Sequence, residues 1–363
     1  MLSSMLKMAN YSEKSQTIHR GFFSRRVARS LGPHPASSTQ QASWKSFMTD
    51  DNTPIELSWS WSAKRATPSV RYSVEPIGLS AGSPADPFNS RTSVELLGQT
   101  LPLAPSLDLS WYRYFMKALV VADGESDTVT AAAADMSQTF MAFDLLDDSM
   151  VVKYYFLPAQ KALSLSKSKL ELVEDAISGL AASENPFAES LSVVTDYIRS
   201  KDEFDRPELE IVAIDCVEPS QSRFKIYVRS KQTTFNSVLD MMTLGSRISP
   251  ISAAARSSLE ELWCAVFGLE RNDTSLSSPL PEKDHRTSGL LYYFELKPGS
   301  RNVKSKVYLP ARHYGQSDGQ IARGLSGFLE RRGKGLTGEV SYYDGLRTLW
   351  YVPASLHRSI ILS

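Results

Sequence analysis

Four stretches of the chain alternate apolar and polar positions with a period of two, which predicts strands with one buried face. Each has a partner a few residues on: 54–61 with 70–77, 139–146 with 150–157, 209–217 with 223–228, and 290–296 with 305–309. Turn formers separate the partners, among them Asp147-Asp148, Pro219-Ser220 and Pro298-Gly299. Between the pairs the apolar period lengthens to that of a helix. Phe187, Leu191, Val194 and Ile198 make one stripe, and Ile321, Leu325, Phe328 and Leu329 another, opened by the cap spacing Ser317-x-x-Gln320. Near the start, Ile18, Phe22, Phe23, Val27 and Leu31 recur at helical spacing before the stop Leu31-Gly32-Pro33. Arg20, Arg25, Arg26 and Arg29 against a lone Glu13 also resemble a mitochondrial presequence, but the stripe favours an amphipathic helix of the folded domain.

The strand pairs form a repeat. The second strand of three pairs carries a cation followed two residues later by a tyrosine: Lys153-Tyr-Tyr155, Lys225-Ile-Tyr227 and Lys306-Val-Tyr308. Arg71 takes the equivalent place in the first pair. These cations fall 82, 72 and 81 residues apart, which describes a strand–strand–helices unit used four times. Alternation puts Lys153 and Tyr155 on one face, with Val152, Tyr154 and Phe156 on the other. Arg223, Lys225 and Tyr227 likewise oppose Phe224, Ile226 and Val228, and Glu56, Ser58 and Ser60 oppose Leu57, Trp59 and Trp61. A shared register of polar faces predicts a sheet curled into an antiparallel barrel, helices outside and polar lumen inside.

Forty basic residues balance forty acidic ones, so no global field draws the chain to nucleic acid or an anionic membrane. No run reaches the ~20 apolar residues of a membrane span. Cys216 and Cys264 sit in apolar stretches and read as buried free thiols of a reducing, cytoplasmic setting. A polyanion must therefore be met locally. Arg71, Lys153, Arg223, Lys225 and Lys306 would place five positive charges in one lumen, which repel at ~4 kcal/mol per pair 4 Å apart at an effective dielectric of ~20. A pyrophosphate relieves that repulsion, arginine offering a fork and lysine a point charge. Tyrosine faces stabilise a nearby carbocation. The set suits ionisation of an allylic pyrophosphate.

Other chemistries find less support. Asp144-x-x-Asp147-Asp148 and Asp50-Asp51 are the candidates for a magnesium site, and the first reads as a tight turn that its aspartates shape and solvate. Gly324-x-x-Gly327 falls inside a helical pattern with no Walker-type lysine. His313, just after a strand end, reads as structural rather than as a base.

The residues quoted resemble the fungal indole prenyltransferases of the dimethylallyltryptophan synthase type. The stretches 46–59, 70–77 and 153–158 carry the resemblance, as do Arg223-Phe-Lys225-Ile-Tyr227 and the run from Lys306 to Tyr314. The resemblance implies an α/β fold, the ABBA (PT) barrel of five ααββ units, working without a metal or other cofactor. It implies that Glu56 holds an indole N–H, that Arg71, Lys153, Arg223, Lys225 and Lys306 bind pyrophosphate, and that Tyr155, Tyr227 and Tyr308 shield the dimethylallyl cation. Dimethylallyl pyrophosphate and an aromatic small molecule are the implied partners, and a homodimer is compatible with them. An indole acceptor of alkaloid secondary metabolism is the first reading. A phenolic or polyketide acceptor is the alternative, and a truncated, inactive homologue the third. Some members use a lysine on the first strand of the second unit as base, but no lysine lies between Lys117 and Lys153, so the base is unassigned and free tryptophan is disfavoured. The expected organisation is one barrel domain over 1–350 whose fifth strand pair is missing, leaving the outer strands as edges, with an atypical tail at 351–363.

Overall fold

The computed structural model describes residues 1–34, 44–122, 137–180 and 186–350; the expected tail at 351–363 lies outside them. Among the described residues eight strands form one antiparallel sheet in sequence order: β1 (Ile55–Ser60), β2 (Ser69–Val74), β3 (Thr139–Leu145), β4 (Met150–Phe156), β5 (Glu208–Asp215), β6 (Phe224–Ser230), β7 (Leu290–Leu296) and β8 (Lys304–Tyr308). All four expected pairs form. β1 and β8 each have one neighbour, so the curled sheet is an open barrel with two edges, as expected.

Helices cover the convex face: α1 (Leu2–Met8), α2 (Glu13–Phe22), α3 (Arg91–Gln99), α4 (Ser110–Leu119), α5 (Ala159–Ser164), α6 (Lys169–Ser178) and α7 (Ala188–Arg199). They continue with α8 (Phe235–Met242), α9 (Ala253–Phe267), α10 (Asp273–Ser277), α11 (Ala311–Tyr314), α12 (Asp318–Glu330) and α13 (Tyr342–Trp350). The cap that the sequence indicates forms, Ser317 Oγ accepting from Gln320 N at 3.2 Å, and Ser168 with Glu171 closes a reciprocal box on α6. α9 and α12 cross at Gly324, where a Cβ would stand 1.9 Å from the Ala265 carbonyl oxygen; only glycine permits that approach.

The core fills the space between sheet and helices. Phe143, Val152, Tyr154, Phe156, Phe224, Ile226 and Val228 are each at most 1% exposed, the outward set that alternation predicts. Each such side chain contributes ~1.5–3 kcal/mol of burial, so a one-residue register slip would turn this set into the lumen. Cys216 and Cys264 are buried free thiols. The amphipathic N-terminal segment belongs to this core, though not as one regular helix. Past Phe22 it widens into a π turn, Phe23–Val27, and then tightens into a 3-10 turn, Ala28–Ser30. Phe22 and Val27 are buried, Phe23 meets Tyr72 edge-on at 5.6 Å, and Ile18 is only half-buried. Unforeseen, His19 is buried as well, its Nε2 2.6 Å from the Leu146 carbonyl oxygen at the β3–β4 turn.

The gap between the sheet edges is lined from the helical side. Trp59 of β1 and Trp61 just past its end meet the Tyr342 ring of α13 at 6.0 and 5.9 Å, and Trp61 Nε1 donates to Gly335 O at 3.2 Å. A side chamber of about 240 Å³ lies there, bounded by Glu56 of β1, Tyr308 of β8 and Leu346 of α13.

Candidate active site

The concave face of the sheet encloses a cavity of about 800 Å³, and all nine residues singled out in the sequence line it: Glu56, Arg71, Lys153, Tyr155, Arg223, Lys225, Tyr227, Lys306 and Tyr308. Strand register explains the convergence. Arg71 lies opposite Asp144, Lys153 opposite Asp215 and Lys225 opposite Glu295. Within each pair the partners are Ser58 and Arg71, Ala142 and Lys153, Ala213 and Lys225, Tyr293 and Lys306. Each unit is therefore staggered by two residues against the one before, the shear that tilts strands around an axis. Equivalent positions of successive units come to a common level, and the lumen is layered in steps of ~7 Å, two residues of strand.

The lowest layer was missed in the sequence. Asp144, Asp215 and Glu295, each on the first strand of a pair, supply carboxylates beneath the cations. Asp144 lies 3.0 Å from Arg71 Nε and 2.5 Å from Lys153 Nζ; Asp215 takes Arg223 Nε at 2.5 Å and Lys225 Nζ at 2.9 Å; Glu295 accepts from Arg223 Nη1 at 3.0 Å. Asp144 is thus a strand residue facing the lumen, not part of a solvated turn, while Asp148 pairs with Lys14 outside. The repulsion expected of five bare cations is correspondingly smaller: five positive groups face three carboxylates, an excess of about two. Burial works against Asp215's charge, but Lys225, Arg223 and Lys153 hold its carboxyl below the usual range.

In the cation layer, Lys306 has no carboxylate partner among the described residues and lies over the Tyr308 ring, 4.8 Å from its centroid. Burial, then the charges of Arg71, Lys153 and Lys225, brings its pKa down to about 8. Lys153 also falls to about 8, through burial that Asp144 only partly offsets.

One step up lie the rings. Tyr227 stands 6.0 Å from Tyr155 and 6.1 Å from Tyr308, with Tyr293 adjoining at 5.3 Å. Phe140 stacks on Tyr155 at 4.2 Å and 16°, which alternation along β3 could have indicated. Burial raises all three predicted tyrosines, so they stay neutral. Glu56, opposite Ser73 two residues past Arg71, belongs to this layer. Burial, with a contribution from the Asp50 charge, pushes its carboxyl up to about 8. His313 lies outside the main cavity in the side chamber, hydrogen-bonded through Nε2 to Thr287 Oγ1 at 2.7 Å, which fits the structural reading. Among the described residues no group of three or more His, Cys, Asp or Glu is placed to hold a metal ion, and no helix is long and apolar enough to cross a membrane.

Comparison with known proteins gives the site a context. The chain is 54% identical over 351 residues to the 4-O-dimethylallyl-L-tyrosine synthase of Claviceps purpurea, covering 96% of this chain and 78% of that one. It is 32% identical to the 7-dimethylallyltryptophan synthase of Aspergillus fumigatus, over 92% of this chain and 72% of that one. Among solved structures, AnaPT from Neosartorya fischeri superposes with a TM-score of 0.75 at 26% identity, covering 92% of this chain and 78% of that one. The fold also matches NotF, solved in complex with brevianamide F and DMSPP, at a TM-score of 0.78 and 24% identity over 97% of this chain and 84% of that one. The family description "Tryptophan dimethylallyltransferase" matches residues 1–344. The chain belongs to the tryptophan dimethylallyltransferase family, the aromatic prenyltransferases whose relatives move a dimethylallyl group onto an aromatic acceptor.

Proposed function

We propose that the chain transfers the dimethylallyl group of dimethylallyl pyrophosphate to the phenolic oxygen of a tyrosine-type amino acid, with no metal. The observation that carries this reading is the position of Glu56 in the ring layer, directly above the cations, with its carboxyl raised to about 8. A phenol titrates near ~10, so a base at 8 is matched to it within about two units, where an ordinary carboxylate lies nearly six away. Attack by phenolic oxygen releases a single proton, and Glu56 is there to take it. Attack by an indole carbon releases its proton from that ring carbon, away from the N–H that Glu56 would hold. The cavity-facing residues of β3 offer no free base for that: Phe140 is stacked, Ala142 is inert and Asp144 is ion-paired. The high identity to a tyrosine O-prenylating enzyme supports the same choice.

In this mechanism Arg71, Lys153, Arg223, Lys225 and Lys306 hold the pyrophosphate and stabilise it as the allylic C–O bond breaks. The bonding pair leaves with the pyrophosphate. Tyr155, Tyr227 and Tyr308 present π faces to the cation and keep water from it. The phenolic oxygen forms the new C–O bond as its proton passes to Glu56. The excess of about two positive charges is the part a metal ion would otherwise play. Two buried thiols fit a reducing cytoplasm.

The test is incubation with dimethylallyl pyrophosphate and L-tyrosine in the presence of a chelator. One C5 unit on the phenolic oxygen is expected by mass spectrometry and NMR, and E56Q should lower kcat by about 10²–10⁴-fold. A product alkylated on carbon, or turnover of tryptophan alone, would overturn the phenolic reading.

A further inference from the structure

The level of the lumen above the rings has no part in the transfer step, and its geometry is not that of a regular strand. On β5 the residues Ile211, Ala213 and Asp215 face the cavity or the cations, so strict alternation would send Glu210 outward with Val212 and Ile214. A bulge between Leu209 and Ile211 breaks that alternation. Leu209 joins the core at 3% exposure, and Glu210 is turned into the cavity beside Ile211. Bulges of this kind re-aim single side chains and cluster beside active sites.

Glu210 is also held in place. Arg229, two residues beyond Tyr227 on β6 and lining the same cavity, grips both its oxygens: Nε to Oε1 at 2.5 Å and Nη2 to Oε2 at 2.9 Å. Arg229 Nη1 is occupied by the carbonyl oxygens of Thr287 and Ser288, at 3.0 and 3.3 Å. The guanidinium is spent on positioning. A carboxylate accepts about four hydrogen bonds, so Glu210 keeps acceptor capacity toward the cavity, where its side chain is 26% exposed.

The layer spacing says what could use it. The Glu210 carboxylate is held by Arg229, which stands one strand step, ~7 Å, past Tyr227 of the layer that holds Glu56. That span matches a para-substituted phenyl ring with its first side-chain carbons. An acceptor whose oxygen lies at Glu56 would bring its far end to the level of the Glu210 carboxylate, in the cavity that both residues line. We propose that Glu210, aimed by the bulge and fixed by Arg229, is a specificity-determining residue that binds the α-ammonium group of a free amino-acid acceptor. This rests on the reading of the acceptor as an amino acid, and the experiment separates the two.

kcat/KM is measured for L-tyrosine and for 3-(4-hydroxyphenyl)propionate, which differs by replacing the ammonium with hydrogen, using wild type and E210Q. Wild type is expected to prefer tyrosine by roughly 10- to 100-fold, the worth of a hydrogen bond between charged groups. E210Q should lose that preference by slowing tyrosine while leaving the propionate within about threefold, a split that loss of folded protein cannot produce. A uniform fall for both acceptors, or no change for tyrosine, overturns the inference. If E210Q does not fold, the wild-type pair decides alone: equal values for the two acceptors overturn it. If wild type turns over tryptophan and not tyrosine, the phenolic reading has failed, and the ammonium site is then read from tryptophan against indole-3-propionate.

Discussion

Three groups of the lumen, Lys153, Lys306 and Glu56, titrate at about 8. At pH 8 each is half-protonated, so together they hold about 1.5 of three protons. A bound pyrophosphate raises all three, because its negative charge favours ammonium over amine and carboxylic acid over carboxylate. Binding at pH 8 should therefore take up as many as about 1.5 protons, and at pH 6, where all three are already protonated, almost none. The sign follows from the lysines: their pKa rises on binding, so affinity is full below 8 and declines as pH climbs through it. Lys306→Met should remove about 0.5 proton of the uptake at pH 8. The assay is titration calorimetry with the thiolodiphosphate analogue of dimethylallyl pyrophosphate, in buffers of differing ionisation enthalpy. Proton release at pH 8, or uptake unchanged in Lys306→Met, would refute the claim that these groups face the anion.

Two further perturbations probe the scaffold of the site. Asp215→Asn leaves Lys225 and Arg223 short of their buried counter-ion and should cost about 3–5 kcal/mol in chemical unfolding; added pyrophosphate should restore more stability to this variant than to wild type. Gly324→Ala drives a methyl into the Ala265 carbonyl, so the α9–α12 crossing must part, costing about 1–3 kcal/mol by thermal denaturation with the site chemistry intact.

The strands and their inward faces were legible because every unit repeats a cation, followed in three of the four by a tyrosine two residues on, and a period-two pattern needs no tertiary information. The carboxylate layer was not. Asp144 sits three residues before Asp147-Asp148, and only the pairing of β2 with β3 reveals that it faces Arg71 rather than solvent. Asp215 and Glu295 lie at or next to the end of apolar runs, where an acid commonly marks a strand terminus, although their spacing of 80 residues nearly matches the 81 between Lys225 and Lys306. Glu210 was out of reach for a different reason. Alternation assigns it to the outer face, and the bulge that reverses it depends on how β5 and β6 fit together. The N-terminal stripe predicted a helix, but the buried face of α2 runs through Ser15, His19 and Phe22 and leaves Ile18 at the margin, and past Phe22 the chain leaves the α-helical period in a π turn.

The central claim is that cations and rings from successive units form one layered diphosphate-ester site. A crystal of the protein grown with the thiolodiphosphate analogue tests it most directly. The account predicts diphosphate density in contact with Lys153, Lys225 and Lys306, with the allyl chain one layer up against Tyr155, Tyr227 and Tyr308. Diphosphate bound elsewhere, with those lysines still paired only to Asp144, Asp215 and the tyrosine ring, would contradict it.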